Sequence, residues 1–182
     1  MLQFRKGRFA IALLIAGGVA LSVSAGPRTA SADAPGAEGI LPTEYGESVD
    51  RDIAKVRAAT SPFRTLEKAV AAGYPGQVSH CIDNPPHGAM GFHHQNSGLL
   101  DDKIEVERPE ILVYERLADG KYRLNGVEYV VPLSAWPQDE PPAVMGQKLK
   151  RAPSLGIWYL HVWVWERNPS GLFADWNPNV KC

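Results

Sequence analysis

Two runs of β-forming residues on either side of an Asp-Gly pair constrain the fold of this chain more than any other feature. The first run covers residues 111–117 and the second covers residues 122–131, and both are rich in Val, Leu and Tyr. Asp119-Gly120 between them is typical of a β-hairpin with a two-residue type I′ turn. The sequence therefore predicts two antiparallel strands, with Asn125-Gly126 as a candidate bulge in the second.

A third run of β-forming residues covers residues 157–165 and alternates between two kinds of side chain. Successive side chains of a strand point to opposite faces of its sheet. One face of this strand would hold Leu160, Val162 and Val164, which suit a packed core. The other face would hold His161 among aromatic side chains, namely Tyr159, Trp163 and Trp165.

Residues 48–73 carry apolar side chains, such as Ile53 and Val56, at the spacing of an amphipathic helix. Pro62 interrupts this pattern. The segment forms either two short helices or one long helix kinked at Pro62. Because proline inside a helix costs about 3 kcal/mol, we favour a break near Thr60. Together with the three strands, this segment predicts an α+β fold, in which an N-terminal helical segment packs on an antiparallel sheet of at least three strands.

Residues 74–100 show neither helical nor strand periodicity, and we predict a long loop here that carries His93. Long irregular segments in compact domains are more often functional than structural. Adjacent side chains on extended backbone point to opposite faces, so only one of His93 and His94 is expected to be a ligand. We expect His80 and His87, which flank a Pro-Pro turn, to lie at the surface.

The N-terminus has the parts of a secretory signal peptide. A basic start precedes the uncharged run of residues 9–25, and Ala30-Ser31-Ala32 is a cleavage site of the small-x-small type. A cut after Ala25 is the alternative. The uncharged run is shorter than the roughly 20 residues that a transmembrane helix needs. We therefore expect cleavage, and no stable membrane anchor after it.

This interpretation predicts the organisation of the whole chain. Residues 1–32 form the signal peptide, residues 33–47 form a flexible lead-in rich in Gly, Pro and Ala, and residues 48–182 form a single α+β domain. The protein is expected to be secreted or periplasmic, in the envelope of a bacterial cell.

Composition and charge exclude two further classes. With 45% hydrophobic and 21% charged residues, the chain is too apolar for a disordered protein. Residues 1–32 contain four basic residues and no acidic one, so the 150 residues that remain after cleavage carry a net charge of −5. Nucleic acid is not expected as a partner, because the mature chain is acidic and has no basic stripe.

The chain contains two cysteines, Cys81 and the C-terminal Cys182. In an oxidising compartment, two cysteines of a small domain usually pair, so we predict a disulfide between them. It would close a loop of about 100 residues and contribute about 4–5 kcal/mol in the loop-entropy treatment. The alternative makes Cys81 a metal ligand beside His80.

Glu128 lies in an otherwise apolar strand, where a buried carboxylate without a partner is costly. It therefore either faces solvent at an edge or has a cationic partner such as an arginine, a protonated histidine or a metal ion. With a simple hairpin turn, Glu115 shares the face of Glu128, unless the bulge shifts the register. Two imidazoles and one carboxylate form a ligand set that suits zinc, non-haem iron or copper.

The second half of the chain contains a series of short motifs in a fixed order. They are G-x-M-G-x-H at residues 88–93, V-E-Y at 127–129, H-x-W-x-W at 161–165, and N-P-x-G-x-F-x-x-W-N-P at 168–178. In this order, they resemble a family of small secreted bacterial proteins of unknown function, over roughly residues 50–182. The resemblance implies that His93, Glu128 and His161 occupy positions of the family pattern, whereas His94 stands where the pattern usually has an aromatic residue. It implies no activity.

The first hypothesis for function is a metal site of His93, Glu128 and His161, with zinc or copper as the ion and a metal ion or small molecule as the partner. Met90, Trp163 and Trp176 would cover this site. In an enzyme of this kind, the ion would acidify a water molecule, and a nearby carboxylate would act as the catalytic base. The two candidates for that base are Glu115 and Asp175.

Two other hypotheses need no metal. In one, the protein is a binding module whose aromatic pocket takes a small apolar or sugar-like ligand, with the histidines as hydrogen-bonding groups. The residues expected to line this pocket are Met90, Tyr159, Trp163, Trp165 and Trp176. In the other, the chain is a structural domain of the cell envelope, and its buried His and Glu residues are satisfied polar groups of the core.

Overall fold

A computed structural model describes residues 44–182. The predicted signal peptide and residues 33–43 of the predicted lead-in lie outside the described residues. Helix α1 spans Glu47–Thr60, a 3-10 turn spans Ser61–Arg64, and helix α2 spans Leu66–Ala71. The predicted break near Thr60 is confirmed, because Pro62 falls within the 3-10 turn, where it does not interrupt an α-helix. Within residues 44–182, no helix has the length and apolar character needed to cross a membrane.

The strands of the described residues form one large central sheet and a separate small hairpin. The strands are β1 Gly76–Gln77, β2 Ile82–Asp83, β3 Ala89–Gln95, β4 Ile111–Arg116, β5 Tyr122–Pro132, β6 Ala143–Val144, β7 Gln147–Lys148, β8 Lys150–Ala152 and β9 Ile157–Val162. The central sheet has seven strands in the order β1-β3-β4-β5-β9-β8, with β2 also paired to β3, and all of its pairings are antiparallel. The hairpin consists of β6 and β7.

The two faces of the central sheet have different surroundings. On one face, Leu112, Tyr129 and Leu160 pack in the main core with helix residues Ile53 and Val56. The predicted α+β fold, with a helical segment packed on an antiparallel sheet, is therefore confirmed. The opposite face carries a smaller apolar cluster, and it is the face on which the candidate site lies. We call it the cavity face; its apolar cluster consists of Ile111, Val113 and Val130.

The prediction that a long loop carries His93 is wrong, because His93 lies in strand β3, Ala89–Gln95. Gly91 explains why the sequence hides this strand. It has a φ of 99°, and a Cβ atom there would lie 2.5 Å from the carbonyl oxygen of Tyr114 on β4. This kink breaks the alternation of side chains, so Met90 lines the cavity together with His93 although the two are three residues apart.

The predicted hairpin of β4 and β5 is confirmed, but its turn is longer than predicted. Leu117 donates its N–H to the carbonyl oxygen of Lys121, so three residues rather than two form the loop, and Gly120 has a φ of 82°. The expected bulge is present, because the register shifts between Val113 and Tyr114, opposite Asn125. The longer turn and the bulge shift the pairing register in opposite directions, so Ile111 pairs with Glu128 as it would with a two-residue turn and no bulge.

The third predicted strand is shorter than expected, since β9 ends at Val162 rather than at residue 165. The next residue, Trp163, donates its N–H to the carbonyl oxygen of Leu172 in the C-terminal segment instead of continuing the ladder. Alternation therefore stops, and Trp165 lies on the helical side, where its Nε1 donates to Thr60 Oγ1 over 3.1 Å. The prediction that Trp165 shares the face of His161 is wrong for this reason.

The C-terminal segment is tied to the sheet at several points. Asn177 forms a bridge with Ala89 at the start of β3, and the backbone N–H of Lys181 donates to Glu115 Oε1 over 2.9 Å. The predicted disulfide between Cys81 and Cys182 is present. The segment is thus held against the start of β3 and the end of β4, and its Trp176 lines the cavity.

Glu110, directly before β4, is a buried carboxyl group outside the candidate site. Its Oε2 accepts a hydrogen bond of 2.9 Å from the N–H of Val130. This contact lies just beyond the pair of Ile111 and Glu128, where the pairing of β4 with β5 ends. Burial raises the pKa of Glu110 to about 8, although the hydrogen bond from Val130 opposes this effect. The group therefore holds a proton at neutral pH in the folded protein.

This raised pKa predicts that Glu110→Gln changes how stability depends on pH. Between about pH 4.5 and 8, the folded protein retains a proton that the unfolded chain has released, so the free energy of unfolding falls as pH rises. Glutamine accepts the same hydrogen bond but has no proton to retain. We expect the variant to lose roughly 1–3 kcal/mol less than the wild type between pH 5 and pH 8.5 in urea unfolding. Glu107→Gln, at an exposed position, is the control, and parallel curves for Glu110→Gln and wild type would refute the prediction.

Candidate metal centre

Three strands bring His93, Glu128 and His161 together on the cavity face. Glu128 on β5 and His161 on β9 are direct cross-strand partners, and His93 reaches them from β3. The three side chains are almost completely buried, with exposed fractions of 6%, 5% and 2% for the three residues in chain order. Within the described part of the chain, they are the group of three His, Cys, Asp or Glu residues whose ligand atoms converge, all within 4.8 Å of one another.

The distances within this cluster match those between ligands of a bound metal ion. His93 Nε2 lies 3.0 Å from His161 Nε2. The carboxylate of Glu128 lies 3.6 Å from His93 Nε2 through Oε2 and 3.7 Å from His161 Nε2 through Oε1. With bonds of about 2.0–2.1 Å, two ligands at tetrahedral positions are about 3.3–3.4 Å apart. Each of these distances is close to the spacing of two ligands on one ion, and with a single oxygen taken from Glu128 the three ligand atoms all lie within 4.8 Å of one another.

Each histidine faces a polar group on the side opposite the cluster. Ser79 Oγ lies 2.9 Å from His93 Nδ1, within hydrogen-bond distance. Asp175 Oδ1 lies 3.8 Å from His161 Nδ1, which is too long for a hydrogen bond but close enough for a charge interaction. Metal-ligating histidines commonly present the second ring nitrogen to a carboxylate or another polar group, which sets the tautomer and the ring orientation.

Burial favours the protonation state that metal binding requires at His93, but it acts against that state at Glu128. Burial, together with the neighbouring His161, lowers the pKa of His93 to about 3, so its ring is neutral and has a free lone pair. Burial raises the pKa of Glu128, while His161 opposes the shift. For Asp175, burial acts in the raising direction, but His161 and the Lys150 ammonium, 2.6 Å away, outweigh it and lower the pKa. Asp175 is therefore ionised behind His161.

The cluster lies at the base of a cavity of about 450 Å³. Three of the residues predicted for a ligand pocket, Met90, Tyr159 and Trp176, line it. Most of the remaining wall is aliphatic. Its aliphatic residues are Val78, Ile82, Leu100, Ile111, Val130, Ala152, Leu155 and Ile157. The volume lies within the range of small-molecule sites in proteins.

The other residues predicted for the site lie apart from the cavity. Trp163 does not line it but stacks on His161 from the side, with ring centroids 6.3 Å apart and planes 14° apart. Trp165 lies on the helical side of the sheet, under the guanidinium groups of Arg57 and Arg64. Neither tryptophan is in a position to contact a ligand in this cavity.

The two candidate bases have different places. Glu115 shares a strand face with Glu128, but it lies four residues along β4 from Ile111, the partner of Glu128, a distance of about 13 Å. Its carboxylate is bound by Arg123 Nη2, 2.6 Å away. The structure thus does not bring Glu115 to the cluster, whereas Asp175 lies beside it.

Three other histidines lie outside the cluster. His94 points to the helical face, where its ring centroid is 5.4 Å from that of Tyr114, as expected for the neighbour of a ligand candidate on a strand. His80 and His87 are exposed, which confirms their expected surface positions.

Sequence reasoning missed Ser79, Lys150 and the aliphatic wall of the cavity. Ser79 lies in a segment without periodicity, and Lys150 lies on an edge strand of three residues. The only available signal was local: Ser79 stands directly before His80 and Cys81, in a region already considered functional. No sequence pattern relates it to His93.

Comparisons with models of protein families, with curated proteins and with solved structures gave no match for this chain.

Proposed function

We propose that His93, Glu128 and His161 bind a divalent transition metal ion, zinc or copper, and leave one coordination position open to the cavity. The observation that carries this proposal is the convergence of three buried side chains from three strands, whose nearest polar atoms lie 3.0–3.7 Å apart pair by pair. Two imidazoles and a carboxylate with one open position form a ligand set typical of catalytic zinc sites. A bound ion of this kind acidifies a water molecule or polarises a carbonyl oxygen.

The alternative of a satisfied polar core explains the same contacts less well. The hydrogen bond between the two Nε2 atoms needs only one proton, and it leaves Glu128 without a donor at hydrogen-bond distance among the described residues. A buried carboxylate in that state is costly. A divalent cation would accept a lone pair from each of the three groups and neutralise the carboxylate.

In this proposal, Asp175 is a positioning residue rather than the predicted base. It lies on the Nδ1 side of His161, away from the donor atoms, so it would hold the tautomer that presents Nε2 to the ion. Ser79 would do the same for His93. The polar groups behind the histidines thus orient them, and Lys150 keeps Asp175 ionised.

A small-ligand binding module without metal is the second candidate, because the 3.0 Å contact lets one histidine donate directly to the other. The cavity would then bind its ligand through its apolar wall. This candidate predicts no response to metal ions, which separates it from the first.

The proposed location is outside the cytoplasm, in the bacterial envelope or the medium. The disulfide fits an oxidising compartment. The signal-like N-terminus and the resemblance to secreted bacterial proteins support the same proposal. Export assays with and without residues 1–32 test it.

Metal-stripped protein is expected to bind one zinc or copper ion per chain and to become more stable. At a free metal concentration 100 times the dissociation constant, linkage adds about 2.7 kcal/mol to the free energy of unfolding. Elemental analysis after dialysis gives the stoichiometry, and urea unfolding with and without metal gives the stabilisation. Less than 0.2 equivalents of metal, with no stabilisation, would favour the metal-free binding module.

Asp175→Asn is expected to weaken metal binding by about 10–100-fold while keeping the fold, as loss of a charged group behind a ligating histidine does. Glu166→Gln is a matched control, since Glu166 also pairs with a basic side chain but contacts Arg123 instead of the cluster. Competition titration against a chromogenic chelator measures both affinities. Equal affinities for the two variants would contradict the positioning role.

A further inference from the structure

The cavity above the cluster has a gradient of exposure from its floor to its rim. Ile111 and Val130 form a buried floor beside Glu128, with exposed fractions of 4% and 2%. At the rim, Val78 is 54% exposed and Leu155 is 72% exposed, the latter at the tip of the turn between β8 and β9. Large aliphatic side chains that line a cavity and also face solvent favour an apolar ligand that extends from the floor to the rim.

Outside the cluster, the cavity wall has four side chains with polar groups, namely Ser79, Gln95, Tyr159 and Trp176, against eight aliphatic ones. Two of the four already have partners, because Ser79 Oγ contacts His93 and Gln95 Nε2 donates to Ser97 Oγ over 3.0 Å. A sugar needs several hydrogen-bonding partners around its ring, and this wall offers few of them. The aliphatic wall, with the adaptable side chain of Met90, instead suits a flexible hydrocarbon.

The charge of the cluster indicates the head group of such a ligand. Two neutral imidazoles, one carboxylate and a divalent ion together carry a charge of +1. A single carboxylate in the open position would make this buried centre neutral, which is favourable where water is excluded. The ligand chemistry that fits both ends is an unbranched chain with a terminal carboxylate.

We propose that the cavity binds an alkanoate, whose hydrocarbon chain lies along the aliphatic wall toward Val78 and Leu155 and whose carboxylate occupies the open position at the metal centre. This inference rests on the proposed metal centre for the head group. The binding site for the hydrocarbon chain depends only on the aliphatic wall of the cavity.

The test is calorimetric titration of the zinc-loaded full-length protein with acetate, butanoate, hexanoate and octanoate. Each methylene group that enters an apolar site contributes about 0.8 kcal/mol, so affinity should rise about three- to fourfold per carbon. A rise below about 1.5-fold per carbon would overturn the alkanoate proposal even if zinc binds.

Two variants and a control test where the hydrocarbon chain of the ligand lies. Ala152→Phe, in the cavity wall, should weaken octanoate binding at least tenfold while changing acetate binding less than twofold, because it fills space beyond the head group. Leu155→Ser should weaken octanoate binding about two- to fivefold through the rim contact alone. Val70→Ser, at an exposed position on α2, should change neither. Equal loss of octanoate binding in Leu155→Ser and Val70→Ser would refute the assigned path.

Metal-free protein separates the two proposals. If zinc binds but chain length has no effect, the alkanoate proposal fails and the metal centre stands. If chain length governs affinity in protein that takes up no zinc, the metal centre fails, and with it the placement of the carboxylate. Octanoate binding that weakens at least tenfold when zinc is removed supports both.

Discussion

His161→Ala is expected to reduce zinc affinity by more than about 100-fold, beyond what loss of an outer contact costs. The substitution removes one of three donor atoms, and the two that remain, on His93 and Glu128, provide no closed ligand set. Competition titration on metal-stripped protein measures the affinity. Circular dichroism checks that the variant is folded.

His94→Ala is the matched control for this prediction. His94 is as buried as His93, with an exposed fraction of 5%, but its ring lies on the helical face of the sheet. Its removal creates a comparable defect without touching the cluster, so zinc affinity should change less than threefold. Similar affinities in His94→Ala and His161→Ala would contradict the assignment of the ligands.

The double variant Cys81→Ser/Cys182→Ser is expected to lose about 4–5 kcal/mol of unfolding free energy. The disulfide joins residues 101 apart in sequence, so its loss restores considerable freedom to the unfolded chain. Urea unfolding, analysed with a separate m-value for each protein, gives the difference. The size of this effect rivals the whole stability of many small domains.

Reductant provides the control for the disulfide prediction. Treating the wild type with reductant under mildly denaturing conditions should cause the same loss of stability as the double variant, and reductant should leave the double variant unchanged. A loss below 1 kcal/mol would show that the hydrogen bonds of Asn177 and Lys181 hold the C-terminal segment without the disulfide.

The parts of the fold that follow from local patterns were predictable. The helical spacing up to Thr60, the effect of Pro62 and the hairpin of β4 and β5 each depend on residues close in sequence. The disulfide was predictable for a different reason, because only one pairing of two cysteines exists within a chain.

The errors arose where distant contacts decide local structure. Strand β3 was missed because Gly91 breaks its alternation to fit against the carbonyl oxygen of Tyr114, which the sequence cannot show. Strand β9 ends early because Trp163 pairs with Leu172 in the C-terminal segment. Both errors changed which side chains share a face, and the second removed Trp165 from the cavity.

The residues of the candidate site were partly predictable because burial of Glu128 among apolar neighbours demands a partner. That argument, with strand alternation at His161, led to two members of the cluster, and the family resemblance supported the third. The aliphatic wall was not predictable, since its members come from six separate segments whose side chains also suit an ordinary core.

The most direct test of the proposed metal centre is a crystal structure of the protein grown with zinc, with diffraction data collected on both sides of the zinc absorption edge. If the three residues bind zinc, we expect one strong anomalous peak, about 2.0–2.2 Å from His93 Nε2, from His161 Nε2 and from a carboxylate oxygen of Glu128. A cluster that remains in direct histidine–histidine contact at millimolar zinc, with no peak between the three side chains, would contradict the proposed metal centre.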